Sequence, residues 1–186
     1  MDIRHLSARR KRKFAIIRWI IFILLIWFVF IFTTTGNFIK PNLLIPLALC
    51  ICVREDALVS AILGISCGFL IDTAFGKIDG YNAIILMIGC VCTSLLFTHL
   101  LRETFINITV ITLLYSAIHF FLDYFFYYMI WEYEQNNVIL YKYVIPEFVL
   151  TSVSLFLIYP LVKLIRNHFT LRKMHTLNEN QALIKD

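Results

Sequence analysis

The sequence predicts an all-α polytopic membrane protein, a bundle of about six transmembrane helices, and three observations lead to this fold class. Sixty per cent of the 186 residues are apolar and 16% are charged, whereas soluble domains carry about 25% charged residues. The mean hydropathy is +0.80. Apolar runs near the roughly 20 residues that cross a bilayer recur along the whole chain. A separate soluble domain is not expected, because no polar segment is long enough to fold alone.

The apolar runs define six segments. In chain order they are 14–35, 43–53, 57–75, 81–101, 105–131 and 143–165. A basic tail, 1–13, precedes a transmembrane bundle, 14–166, and a second tail, 167–186, follows it. The second segment has about 11 apolar residues, fewer than a full span requires. It is either a short crossing or else a half-span or re-entrant helix, which would change the number of crossings and invert the segments after it.

Basic residues are divided unequally between the two sides that six crossings create. Fourteen lie on the side of the termini, and three lie opposite, namely Lys40, Lys77 and Lys142. Since Lys and Arg accumulate in cytoplasmic loops, we expect a multi-pass protein of the cytoplasmic membrane with both termini in the cytoplasm. The same charge division argues against an inversion after the second segment.

The cysteines do not form a recognisable metal site. All five lie within apolar runs, at positions 50, 52, 67, 90 and 92. The two C-x-C pairs have no nearby His or Cys to complete a ligand set. We therefore expect small packing residues, with no metal and no cofactor. The catalytic motifs G-x-S-x-G, H-E-x-x-H and the P-loop are also absent from the sequence.

Glycines recur every four residues around one aspartate. Gly64, Gly68 and Asp72 form a stripe on the third segment, and G-x-x-x-G spacing allows a second helix to approach closely. The stripe continues into a turn that contains Gly76, Gly80 and Asn82. Asp72 either caps the turn and the next helix or binds a partner or ligand. We favour capping by Asp72 and a helix-packing or partner face formed by the glycines.

A second polar pattern lies on the fifth segment. His119 and Asp123 are i, i+4 neighbours between Tyr115 and Tyr127, so the pair could hydrogen-bond. Its simplest role is a mutually satisfied pair inside the bundle, and the alternatives are a proton relay or a ligand site. Asp72 and Asp123 could also form a two-carboxylate protease site, although their flanking residues do not match those that such enzymes show.

The glycine helix and its turn resemble the rod shape-determining protein MreD family. The matching residues are Gly64, Gly68, Asp72, Gly76, Gly80, Asn82 and Ala83, and the upstream proline-containing segment 41–64 is also similar. This resemblance implies a non-enzymatic scaffold of the bacterial wall-elongation machinery in the inner membrane. Its implied partners are an MreC-like single-span protein, the actin-like MreB filament, a peptidoglycan polymerase and a transpeptidase, together with membrane lipid and no nucleic acid.

The MreD family is thought to be similar in fold to the substrate-binding S components of energy-coupling-factor transporters. A vitamin-binding S component is therefore the alternative function.

Overall fold

A computed structural model describes the backbone of residues 3–35, 41–129 and 140–182 and the side chains of 15–35, 41–129 and 140–168. The described chain is helical. Its helices are α1 (Ile3–Thr34), α2 (Leu44–Cys52), α3 (Ala57–Phe75), α4 (Tyr81–His99), α5 (Phe105–Tyr124) and α6 (Ile145–Ala182). A π-helical turn, Phe125–Met129, extends α5, and another, Leu140–Val144, precedes α6.

Five helical stretches of the described chain are long and apolar enough to cross a membrane: Ala15–Thr34, Ala57–Phe75, Tyr81–His99, Phe105–Met129 and Leu140–His168. They correspond to five of the six predicted segments, so the prediction of an all-α, multi-pass membrane protein is confirmed. The described parts of the two predicted tails are helical, because α1 begins at Ile3 and α6 continues to Ala182.

The second predicted segment does not form a full-length transmembrane helix. α2 has nine residues, which at about 1.5 Å per residue is roughly half of a bilayer core of about 30 Å. All nine are buried, and α2 packs against each of the other helices. It is therefore a nine-residue helix, shorter than a full span, buried in the centre of the bundle.

Contacts to α6 place α2 along the length of the bundle. The Asn42 amide donates to Thr151 Oγ1 over 2.9 Å, part-way along α6. The Arg166 guanidinium, further toward the C-terminus of α6, donates to the Cys50 carbonyl and to the Ile51 carbonyl over 2.9 Å. The chain from Asn42 to Ile51 therefore runs toward the end of the bundle where Arg166 lies.

That end of the bundle, here called the basic end, carries Arg18, Arg54 and Arg166 among its described residues. Arg18 of α1 bonds Glu55 at 2.7 Å, and Arg54 forms an ion pair with Glu103. Burial raises the pKa of the Glu55 carboxyl, and the neighbouring Arg18 guanidinium opposes the rise. Thr34 ends α1 well away from Arg18, whereas Glu55 lies beside Arg18. Thr34 and Glu55 therefore lie toward opposite ends of the bundle.

Candidate functional site

The glycine stripe lies against α4 of the same chain. A Cβ built on Gly68 would lie 2.3 Å from Ala83 Cα, and one built on Gly64 would lie 2.7 Å from Met87 Cα. Only glycine allows the two backbones to approach this closely. The prediction of a close helix–helix contact at Gly64 and Gly68 is confirmed, but its partner is α4, so these positions do not offer a free face to another protein.

Asp72 is fully buried at the end of α3. Its Oδ1 accepts from the Asn82 amide at 3.2 Å and from the Asn82 side chain at 2.8 Å, and its Oδ2 accepts from the Gly80 amide at 2.9 Å. The carboxylate thus satisfies amide groups at the start of α4, where the helix dipole favours an anion. The interpretation of Asp72 as a cap is confirmed.

The two turn glycines adopt backbone conformations that other residues rarely adopt. Gly76 ends α3 with φ of 61°, and its amide donates to the Asp72 carbonyl. Gly80 precedes α4 with φ of 93°. Both lie in the left-handed region, and together they reverse the chain within a few residues so that Asp72 can reach the start of α4.

Lys77, in the same turn, forms an ion pair with α5. Its Nζ lies 2.5 Å from Asp123 Oδ2, whereas His119 Nδ1 lies 3.7 Å from the same oxygen. The latter distance is too long for a hydrogen bond, so the expected His119–Asp123 bond is wrong in its detail. The two side chains do share a buried face, but the close partner of Asp123 is a lysine 46 residues away along the chain.

The polar residues of the predicted site lie together with Lys77 at the end of the bundle opposite the basic end. This group, here called the Lys77 cluster, consists of Asp72, Lys77, Asn82, His119 and Asp123. Tyr127 closes one side of the cluster, because its hydroxyl accepts from the Ile78 amide at 3.1 Å and its ring lies 5.6 Å from Lys77 Nζ. Sequence reasoning missed the part that Lys77 plays, since it placed this lysine in an outer loop.

Several buried polar atoms in and beside the Lys77 cluster have no hydrogen-bond partner among the described residues. They are both ring nitrogens of His119, Asp123 Oδ1, Asn82 Oδ1 and the hydroxyl of Tyr115. His119 has no exposed surface. Buried polar groups are normally paired, because an unpaired group loses its hydration without compensation. This concentration makes the cluster the part of the described bundle best suited to hold a small polar ligand, a water or a proton.

The described residues contain no group of three or more His, Cys, Asp or Glu side chains that could hold a metal ion. Asp72 and Asp123 have different partners: the first accepts from the turn and Asn82, and the second pairs with Lys77. This arrangement gives no support to a carboxylate pair that shares one proton.

No family model, curated protein or solved structure matches this chain.

Proposed function

We propose that this chain is a non-enzymatic membrane scaffold of the bacterial wall-elongation machinery, similar to MreD, with both termini in the cytoplasm. The proposal is supported by the structural roles of the residues that resemble that family. Gly64 and Gly68 hold α4 against α3, and Asp72 caps α4 across the turn. These residues build a closely packed helical hairpin, a structural role that suits a scaffold.

The scaffold works through membrane-embedded and cytoplasmic contacts. We propose an MreC-like single-span protein as the partner within the bilayer, and the MreB filament and anionic lipid as partners of the basic tails. The peptidoglycan polymerase and the transpeptidase supply the chemistry. A bundle of this kind needs lipid-facing helices to receive partners, and α1 is the least enclosed of the long helices, with 17% of its apolar window buried.

Depletion in a rod-shaped host tests this function. We expect cells to lose their rod shape, because wall synthesis is no longer tied to the filament. A photo-reactive phenylalanine analogue at an exposed position of α1, α3 or α5, such as Phe28, Phe69 or Phe121, should cross-link a single-span protein at one or more of these positions. Normal cell shape after depletion, with no cross-linked membrane protein from any position, would contradict the proposal.

The alternative, a vitamin-binding S component, is favoured by the Lys77 cluster. Its unpaired buried atoms are of the kind that a small polar ligand satisfies. A thermal-shift screen of the purified protein against water-soluble vitamins distinguishes the two functions. The scaffold predicts no ligand that stabilises the protein. Sub-micromolar binding, lost in His119→Phe and accompanied by import that depends on an ATPase module, would establish the transporter instead.

A further inference from the structure

The interface between α5 and α6 is incompletely filled. The two helices run antiparallel, and two apolar clefts lie between them. A third cavity, a pocket of about 60 Å³, follows at the basic end, lined mainly by α6, the end of α2 and the neighbouring loops. An apolar cleft of about 240 Å³ lies beyond it, lined by residues that include Leu113, Val149 and Ser152. A second apolar cleft of about 210 Å³, next to Phe121 and Tyr124, lies nearer the Lys77 cluster.

The pocket at the basic end carries an excess of positive charge. Its ionised lining side chains are Arg54, Lys163, Arg166 and Glu103, which is three cations against one anion. Only 9% of Arg166 is exposed, and its bonds to the carbonyls at the end of α2 fix the guanidinium at the pocket wall. A volume of about 60 Å³ is room for a few waters or one phosphate-sized group.

Aromatic contacts divide the three cavities. Phe105 packs on Phe156 and Tyr159 with ring centroids 5.8 and 4.8 Å apart, between the basic pocket and the first apolar cleft. Phe148 lines both apolar clefts. An α-helix about 10–12 Å in diameter needs an uninterrupted groove, whereas a flexible acyl chain can pass these rings.

We propose that the α5–α6 interface binds one anionic membrane phospholipid. Its phosphate lies in the basic pocket near Arg54, Lys163 and Arg166, and one acyl chain lies in the apolar cleft beside Leu113 and Val149. Arginine and lysine are the side chains that bind phosphate oxygens, and the adjacent cleft offers almost no polar surface to a soluble anion. The charge of the pocket and the apolar character of the cleft therefore match the two ends of one amphiphile.

Spin-labelled phosphatidylglycerol provides the test. The protein is reconstituted in phosphatidylcholine vesicles that contain a small share of the labelled lipid, and electron paramagnetic resonance measures the motionally restricted fraction. We expect Lys163→Gln to weaken the preference for phosphatidylglycerol about fivefold, the usual contribution of one basic residue near anionic lipid. Arg102→Gln is the matched control, because Arg102 is exposed and does not line the pocket.

A second pair of variants tests the cleft without changing charge. Leu113→Trp adds bulk at a half-exposed position of the apolar cleft, whereas Val110→Trp adds the same bulk on the exposed surface of α5 away from it. We expect the motionally restricted lipid fraction to fall in Leu113→Trp and to stay unchanged in Val110→Trp. Retention of native helix content and a single gel-filtration peak show that each variant is folded.

Three results would overturn the proposal. Equal loss in Lys163→Gln and Arg102→Gln would mean general attraction to surface charge. Displacement of the lipid headgroup by inorganic phosphate, with no effect of Leu113→Trp, would mean a site for a soluble anion. Cross-linking of a protein helix from Val149, with no restricted lipid, would mean that a partner protein occupies the cleft.

Discussion

At the scale of single residues, Asp72 acts as a helix cap from outside the helix that it caps. Its two oxygens have different hydrogen-bond partners: Oδ1 accepts from Asn82, and Oδ2 accepts from the Gly80 amide. The sequence predicted a cap, because an aspartate before a glycine turn and a new apolar run is typical of one. It could not predict this division between the two oxygens, which depends on the three-dimensional course of the turn.

Because the two oxygens have different partners, we expect substitutions of Asp72 to destabilise the protein by different amounts. Asp72→Asn keeps one acceptor oxygen but presents an NH₂ group to the Gly80 or the Asn82 amide, so we expect a loss of about 1–3 kcal/mol in the free energy of unfolding. Asp72→Leu removes every acceptor and should cost more. Steric-trap unfolding in bicelles measures the difference. Asp79→Asn, at an exposed position of the same turn, is the control and should be neutral.

A partner-binding role for the charge of Asp72 would give a different pattern. Asp72→Asn would then retain wild-type stability and yet lose partner co-purification as completely as Asp72→Leu. That outcome would reject the cap as the main role of this carboxylate.

The Lys77 cluster shows which part of a site a sequence can predict. Helical periodicity correctly placed His119 and Asp123 on one buried face, because i, i+4 spacing is a local property. The ion pair between Lys77 and Asp123 joins residues 46 apart, and it exists only because the glycine turn directs Lys77 toward α5. No spacing rule relates two residues at that separation, so the pairing needed the tertiary structure.

At the scale of helices, the local sequence predicts the limits of α3, whereas it does not predict how α2 lies in the bundle. The predicted limits of α3 match the structure at both ends, since Asp56 precedes the helix and Gly76 ends it in the left-handed region. The apolar run that contains α2 suits either a half-span or a short span. Its place inside the bundle depends on the bond from Arg166 and on the bond between the adjoining Asn42 and Thr151, and both α6 residues lie more than 100 residues away along the chain.

The close approach of α3 and α4 predicts an unequal response to alanine at different glycines. Gly68→Ala places a methyl group 2.3 Å from the Ala83 backbone. We expect it to destabilise the protein by at least the roughly 1–3 kcal/mol usual for overpacking. Gly64→Ala should cost somewhat less, because its nearest contact is 2.7 Å. Thermal unfolding in detergent, followed by circular dichroism, measures the order.

Gly76 and Ser66 provide contrasting controls for this series. A Cβ on Gly76 would meet nothing within 4 Å, but its φ of 61° is unfavourable for alanine, so Gly76→Ala should cost about 1–2 kcal/mol through backbone strain. Ser66→Ala, on the exposed side of α3, should be neutral. Wild-type stability in Gly68→Ala would mean that the two helices are further apart than described.

At the scale of the whole molecule, charge separates the two ends of the bundle. Arg18, Glu55 and Arg166 meet at the basic end, and Lys77 lies at the other. By the positive-inside rule, the distribution of fourteen basic residues against three predicts that the basic end faces the cytoplasm.

Labelling of single cysteines from outside the cell tests this orientation. In a chain whose five native cysteines are replaced by alanine, a membrane-impermeant maleimide should label Asp79→Cys in intact spheroplasts. Arg102→Cys should react only after permeabilisation, because α4 carries the chain across the membrane between these exposed positions. Equal labelling in detergent verifies that both thiols are reactive. The reverse pattern would place the basic end outside, against the charge distribution, and reaction of both thiols in intact spheroplasts would mean that α4 does not cross.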